Sequence, residues 1–300
     1  LGPQRNATTG LFFVRKSDGT LRIICDTRRA NTFFVAPEAT LLPSAGALAA
    51  VEIEPGAHLT GAQGDVACAF YQVELPEDMQ EYFILPPVAA SLLGITHCPI
   101  TGLLLPPGAL LSPQWAVLPM GFSWAVHIMQ DALEHSVVKA NLDASQLVHD
   151  KRVVEPLSRK SYRLAGFVDN FIALPTDWST AKGTAEAWDN QLQGDRLVTH
   201  DVETGTEFKF IGVSFNKALA QISHERRWRL KLALQCLSKR GRVRGSTLEI
   251  VLGHYTWAAL IVRSSLTVFD HAYKFITRYG DSVGVLPPEV HRELSIAAAI

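Results

Sequence analysis

Long apolar runs are missing from this 300-residue sequence. The longest, residues 250–262, falls short of the ~20 residues that cross a bilayer, and prolines interrupt the others. No secretory apolar segment stands at the N-terminus, so a chain of the cytoplasm or nucleus, neither secreted nor membrane-bound, is expected. Cysteine is scarce as well. Cys25, Cys68, Cys98 and Cys236 lie far apart with no C-x-x-C pair. That spacing suggests neither a disulfide framework nor a zinc knuckle, and a reducing compartment is expected. Charged residues are only 19% against 47% hydrophobic, which excludes disorder. The first residue is Leu1 rather than Met, so a segment of something longer is expected.

Positive charge is absent from a long central stretch. No Lys or Arg occurs between Arg29 and Lys139, while Glu38, Asp65, Glu74, Asp78 and Asp131 all do. The basic residues gather at the two ends, at Arg5, Arg15, Lys16, Arg22, Arg28 and Arg29, and again from Arg226 to Arg244. The pattern fits two solvated faces, or phosphate-gripping elements on either side of an acidic, metal-binding middle.

Leu11-Phe12-Phe13-Val14 and Leu21-Arg22-Ile23-Ile24-Cys25 flank Ser17-Asp18-Gly19-Thr20, which predicts a hairpin. Residues 36–56 read as a short helix with loops, and 59–62 as a buried strand ending at Gly64-Asp65. Residues 86–113 hold six prolines and read as an irregular hairpin or lid insertion. Helical periodicity covers 123–138, with Ser123 as N-cap, and then 180–193. The apolar runs 164–168 and 171–174 predict a tight hairpin with Asp169-Asn170 at its tip. Residues 207–215 alternate and pair with 218–222. Helices are expected at 224–237, 246–262 and 266–279. Strands and helices mix without regular alternation, so the class is α+β.

Two carboxylates stand out. Asp65 ends an apolar strand, and Asp169 sits at the tip of an apolar hairpin. Taken singly, each also fits a cap or turn. A buried carboxylate is costly unless a cation or donors compensate it. Brought together, the two would suit a pair of divalent ions roughly 3.5–4 Å apart, and hard oxygen ligands suit Mg²⁺.

The order of the segments then resembles the reverse transcriptase family, especially its retrotransposon branches. The string starts with the 12–22 hairpin, Asp26-Thr27-Arg28-Arg29-Ala30-Asn31 and Asp65-Val66-Ala67-Cys68-Ala69-Phe70. It continues with Leu118-Pro119-Met120-Gly121, Phe167-Val168-Asp169-Asn170 and Phe210-Ile211-Gly212-Val213. Asn170 stands where the family normally has a second Asp.

The resemblance implies a right-hand polymerase. Residues 1–58 and 76–117 would be fingers, 59–75 and 118–222 palm with an antiparallel sheet, and 223–300 a helical thumb. It implies an RNA-directed DNA polymerase of a retroelement, or alternatively a degenerate remnant that folds and binds nucleic acid. Asp65, Asp169 and Asn170 would be catalytic. Asp65, Asp169 and the Val66 carbonyl would hold two Mg²⁺, with Mn²⁺ as an alternative ion. Arg15, Lys16, Arg22, Phe70, Met120 and Gly121 would bind the nucleotide, with Phe70 as the gate against a ribose 2′-hydroxyl. Phe210, Gly212, Arg226 and Arg229 would meet nucleic acid. Partners would be an RNA or DNA template with primer, dNTPs and further domains of a polyprotein. A lysine general acid is expected between the catalytic hairpin and the primer grip. Lys182 lies early and Lys209 inside the grip, leaving His200 as the substitute.

Overall fold

The computed structural model describes residues 8–16, 19–158, 161–200 and 202–299. Leu1, Arg5 and the turn residues Ser17 and Asp18 lie outside the described residues. Strands β1 (Gly10–Arg15) and β2 (Leu21–Asp26) form the expected hairpin, with Val14 opposite Arg22 and Arg15 opposite Leu21. Helices α1 (Arg28–Asn31) and α2 (Ala45–Ala49) follow. Strand β3 (Gly61–Asp65) starts two residues later than expected. The Leu59 and Thr60 amides donate instead to the carbonyls of Lys217 and Pro175, which draws the chain away before the ladder starts.

After α3 (Glu77–Gln80), the proline-rich segment is the irregular hairpin its composition predicts. Only β4 (Val88–Ala89) and β5 (Leu110–Leu111) pair within it as strands. Helix α4 (Ala125–Lys139) is not capped by Ser123. Trp124 occupies the cap without a side-chain bond, and the Ser123 hydroxyl is buried with no partner among the described residues. The Ser123 amide donates to Asn31 Oδ1 at 3.0 Å, so this residue is committed to the preceding loop.

Strands β6 (Tyr162–Phe167) and β7 (Asn170–Pro175) make the apolar hairpin, but its turn is Val168-Asp169, one residue earlier than expected. Helix α5 (Trp178–Gly194) follows, its N-cap Asp177 accepting the Thr180 amide at 2.8 Å. The expected single strand 207–215 divides. After β8 (Glu203–Gly205) come β9 (Glu207–Phe210), β10 (Val213–Asn216) and β11 (Leu219–Ile222). Ile211 and Gly212, at φ 40° and 84°, form the turn between β9 and β10, the pair of positive φ values that tight hairpins favour.

The rest is mainly helical: α6 (His224–Ser238), β12 (Arg242–Arg244), α7 (Gly245–Ala259), α8 (His271–Tyr279), β13 (Val283–Val285) and α9 (Pro288–Ala299). The expected helix at 266–279 starts as a 3₁₀ turn and becomes α-helical only at His271. The β12–β13 pair and α9 go beyond the sequence expectation. Pro287-Pro288 reads as a break, yet proline is well suited to the first position of a helix.

Strands β6-β7-β3-β8 form one antiparallel sheet, and β11-β10-β9 another. The run Phe171-Ile172-Ala173-Leu174 is buried on both faces of the first sheet. Phe171 and Ala173 join the core that includes α4 and α5, whereas Ile172 and Leu174 join a second core with Phe210, Val213 and Phe215. A strand covered on both faces reads as a continuous apolar run. A third core lies among α6, α7, α8 and α9. The class is α+β. Among the described residues, no helix is long and apolar enough to cross a membrane.

Candidate active site

The four-stranded sheet places the two singled-out acids side by side. Asp65 is the last residue of β3 and pairs with Asn170, the first residue of β7. One step on, the Val66 amide donates to the Asp169 carbonyl at 2.7 Å. Gly64 permits this approach, because a Cβ there would lie 2.6 Å from the Phe171 ring.

The turn that carries Asp169 is strained. Val168 has φ 61°, and a β-branched residue held in the left-handed region costs about 1–3 kcal/mol. Asp169 itself is half-buried. Burial pushes its carboxyl above the usual range and the Asp65 charge adds to this, outweighing the Asn170 hydrogen bond and the Arg22 charge, which pull it down. Asn170 Nδ2 donates to Asp169 Oδ1 at 2.6 Å.

The donors fit a hard divalent cation, being all oxygen. The two carboxylates lie on adjoining segments, where the Asp65 charge acts on Asp169, and the Val66 carbonyl accepts no hydrogen bond from the described residues. Among those residues, no group of three or more His, Cys, Asp or Glu side chains gathers. The negative charge therefore comes from two acids.

Other nominated residues stand at varying distances from this centre. Directly opposed residues share a face of a hairpin. Arg22 therefore projects with Val14, while Arg15 projects with Leu21 on the other face. Of the three cations, Arg22 is the one whose charge acts on Asp169. Phe70 lies in the 3₁₀ turn Ala69–Gln72, half-buried against the main core. The hydroxyl of its neighbour Tyr71 donates to the Ile23 carbonyl at 3.1 Å and lies 3.9 Å from Met120 Sδ, linking the Asp65 segment to β2 and the Met120 loop. Gly121 has φ 111°, and a Cβ there would sit 2.7 Å from the Cys25 carbonyl. Its lack of a side chain thus already serves the packing of this loop on β2.

The structure puts the Phe210 ring in the second core, 3% exposed, rather than on a surface. Gly212 packs against Trp257, and the Arg226 guanidinium lies over that ring at 4.5 Å. Arg229 pairs with Glu225 at 2.6 Å. Lys182 faces Glu186 at 3.7 Å on α5.

His200 lies at the site. Its amide donates to the Asp65 carbonyl at 2.9 Å, and its Nε2 is 3.8 Å from Asp65 Oδ2. Two residues carry more than their sequence signal shows. Asn31 donates to the Gly121 carbonyl at 3.1 Å while accepting the Ser123 amide, so it clamps the loop before α4. Buried Gln130 bonds the backbone on either side of Phe167. Its only sequence signal is a polar residue on the apolar face of a helix.

Solved structures that resemble this chain include two foamy viral proteins. One is the foamy viral protease-reverse transcriptase dRH in complex with ds DNA, with TM-score 0.66 and 14% identity over 97% of this chain and 43% of that one. The other is the foamy viral protease-reverse transcriptase in complex with RNA/DNA hybrid, with TM-score 0.58 and 15% identity over 97% of this chain and 33% of that one. This is a reverse-transcriptase-like polymerase fold. The chain spans less than half the length of either neighbour. No protein-family model and no curated protein sequence matches it. Within the reverse-transcriptase-like fold, the Asp65–Asp169 pair lies where β3 and the β6–β7 turn meet.

Proposed function

We propose that the chain is the polymerase part of a retroelement reverse transcriptase, transferring deoxynucleotides to a primer 3′-hydroxyl. The observation that carries this reading is the pairing of Asp65 with the Asp169 turn, where burial and like charge hold one carboxyl above its usual range. Two carboxylates that repel each other in a half-buried turn are a liability to the fold and an asset to a cation site. Fingers are assigned to 1–58 and 76–117, palm to 59–75 and 118–222, and thumb to 223–300. Template, primer and dNTPs are the partners, inside the cell, with further polyprotein domains.

Asp65, Asp169 and the Val66 carbonyl would hold two Mg²⁺, or Mn²⁺ in their place. When bound, such ions acidify the primer hydroxyl and neutralise the leaving pyrophosphate. Arg22 faces the triphosphate, and Met120 and Gly121 lie beside the incoming base pair. The Phe70 ring excludes a 2′-hydroxyl by bulk. His200 Nε2 donates a proton to the departing pyrophosphate.

A second reading is a remnant that binds nucleic acid without turnover. The Asn170 carboxamide favours it, since its donor side is turned on Asp169.

Primer extension on an RNA template tests the choice. The wild type should incorporate dNTPs with Mg²⁺ or Mn²⁺, and Asp169→Asn should lower the rate by roughly 10²–10³ or more, the scale of losing one electrostatic stabiliser of a transition state. Phe70→Ala should relax discrimination against rNTPs about 10–100-fold, as for other pocket contacts of this size. Salt-dependent binding without incorporation, from a folded sample, would establish the remnant.

A further inference from the structure

Gln130 lies on α4, 3% exposed, and both polar atoms of its carboxamide are bonded. Oε1 accepts the Val168 amide at 2.9 Å. Nε2 donates to the Gly166 carbonyl at 2.9 Å and to Glu134 Oε1 at 2.7 Å. Strand β6 is the outer strand of its sheet, so the edge of the catalytic hairpin needs partners from elsewhere. Near its start the chain at 147–148 supplies them, the Val148 amide donating to the Leu164 carbonyl at 2.8 Å. At the turn, one side chain does the same job. The Gln130 carboxamide offers one acceptor and one donor to Val168 and Gly166, as the peptide group of a neighbouring strand would.

The orientation of that carboxamide is itself fixed. An ionised carboxylate only accepts, so Glu134 claims one Nε2 proton and leaves Oε1 facing Val168. His149 Nε2 meets the same Glu134 oxygen at 2.9 Å. Burial pushes Glu134 up, but the hydrogen bonds from His149 and Gln130 prevail and keep it below its usual range. Gly166 has no Cβ because Leu133 Cδ2 would lie 2.8 Å away, so α4 presses directly on this edge.

We propose that Gln130 is a positioning residue of the Asp65–Asp169 site: it stands in for the missing strand beside β6 and holds the strained Val168 turn that presents Asp169. The inference rests on reading Asp169 as a metal ligand. Without the carboxamide, the Val168 turn keeps only the closure of its own two-residue hairpin and the Val66 bond to the Asp169 carbonyl, and Asp169 is held less firmly beside Asp65.

The test uses the full chain and Mn²⁺ as the probe, with hydrogen exchange at the Val168 amide as a second readout. In the wild type, that amide should be protected. Gln130→Met keeps the volume and loses all three bonds. It should lower Val168 protection by at least about tenfold and weaken Mn²⁺ binding by about 10–100-fold, the range for losing a partner that orients a metal ligand. Amides of α7, such as that of Leu252, should stay unchanged. Primer-extension kcat should fall, with the dNTP KM within about twofold. The double variant Gln130→Glu with Glu134→Gln keeps an acceptor for Val168 and should recover part of the Mn²⁺ affinity.

Free exchange of the Val168 amide in the wild type would overturn the proposal, as would a folded Gln130→Met protein with wild-type Mn²⁺ affinity. If that variant does not fold, the wild-type exchange rate and the double variant decide. A wild type that binds Mn²⁺ but extends no primer would sink the polymerase reading and leave the clamp standing. Primer extension with a Gln130→Met protein of unaltered Mn²⁺ affinity would sink the clamp alone. A wild type that binds no Mn²⁺ overturns both.

Discussion

At the residue scale, the charge of Asp169 works against stability. A carboxyl whose folded pKa lies above its unfolded value keeps its proton longer when folded. Between the two values the folded state holds more protons, so stability falls as pH rises through that window and stays lower above it. Asp169→Asn removes the titration. In urea unfolding without metal, it should be more stable than the wild type at pH 7, and the gap should close toward pH 3–4, below the window. Equal stabilities at all pH values would mean that the buried charge carries no penalty. Asp65 and Asp169 were legible in the sequence because each ends an apolar run, where a charge is out of place. The turn register was not. A β-branched residue is a poor candidate for positive φ, so the sequence pointed to Asp169-Asn170, whereas Val168 stands there with its amide bonded to Gln130 from another element.

At the element scale, helices were read better in their bodies than at their ends. The periodicity of α4 and α5 marks their spans, because an amphipathic face is a local property of the sequence. Caps depend on what the neighbouring loop needs, as Ser123 shows by leaving its hydroxyl unbonded while its amide meets Asn31. The start of α8 is set from even further away. Glu293 on α9 is 9% exposed, and its carboxylate accepts the amides of Asp270, His271 and Ala272 at 3.2, 2.9 and 2.9 Å. Burial pushes this carboxyl up, but those bonds hold it below its usual range. Its contribution is thus complete above the unfolded pKa and is lost as pH falls through the folded one. Glu293→Gln should cost about 1–3 kcal/mol in urea unfolding at pH 7, the range for leaving buried donors unsatisfied. A loss below a few tenths would mean that water or the helix end itself compensates.

At the scale of the whole molecule, the uneven charge along the chain places acidic and basic residues on different elements. The acidic middle supplies Asp65, while the cations of α6 stand beyond the β9–β10 turn, tied to it through Arg226 and Trp257. The basic run itself was legible in composition. Which of its cations are already engaged was not, since the stacking of Arg226 depends on a residue 31 positions away. Arg229 is held by Glu225 at the cost of one free charge. Glu225→Gln should release it, tightening binding to a primer–template and steepening the fall of log K with log salt by up to about 0.9, one phosphate contact. Arg229→Gln should change the slope in the opposite sense. Slopes unchanged in both variants would place the nucleic acid elsewhere.

The proposal that Asp65 and Asp169 form one cation site is tested most directly by electron paramagnetic titration of Mn²⁺ into the purified chain, with Asp65→Asn and Asp169→Asn alongside. Saturable binding in the wild type, lost in each single variant while both remain folded, is the expected result. Binding that survives either substitution, or no binding at all, would contradict it.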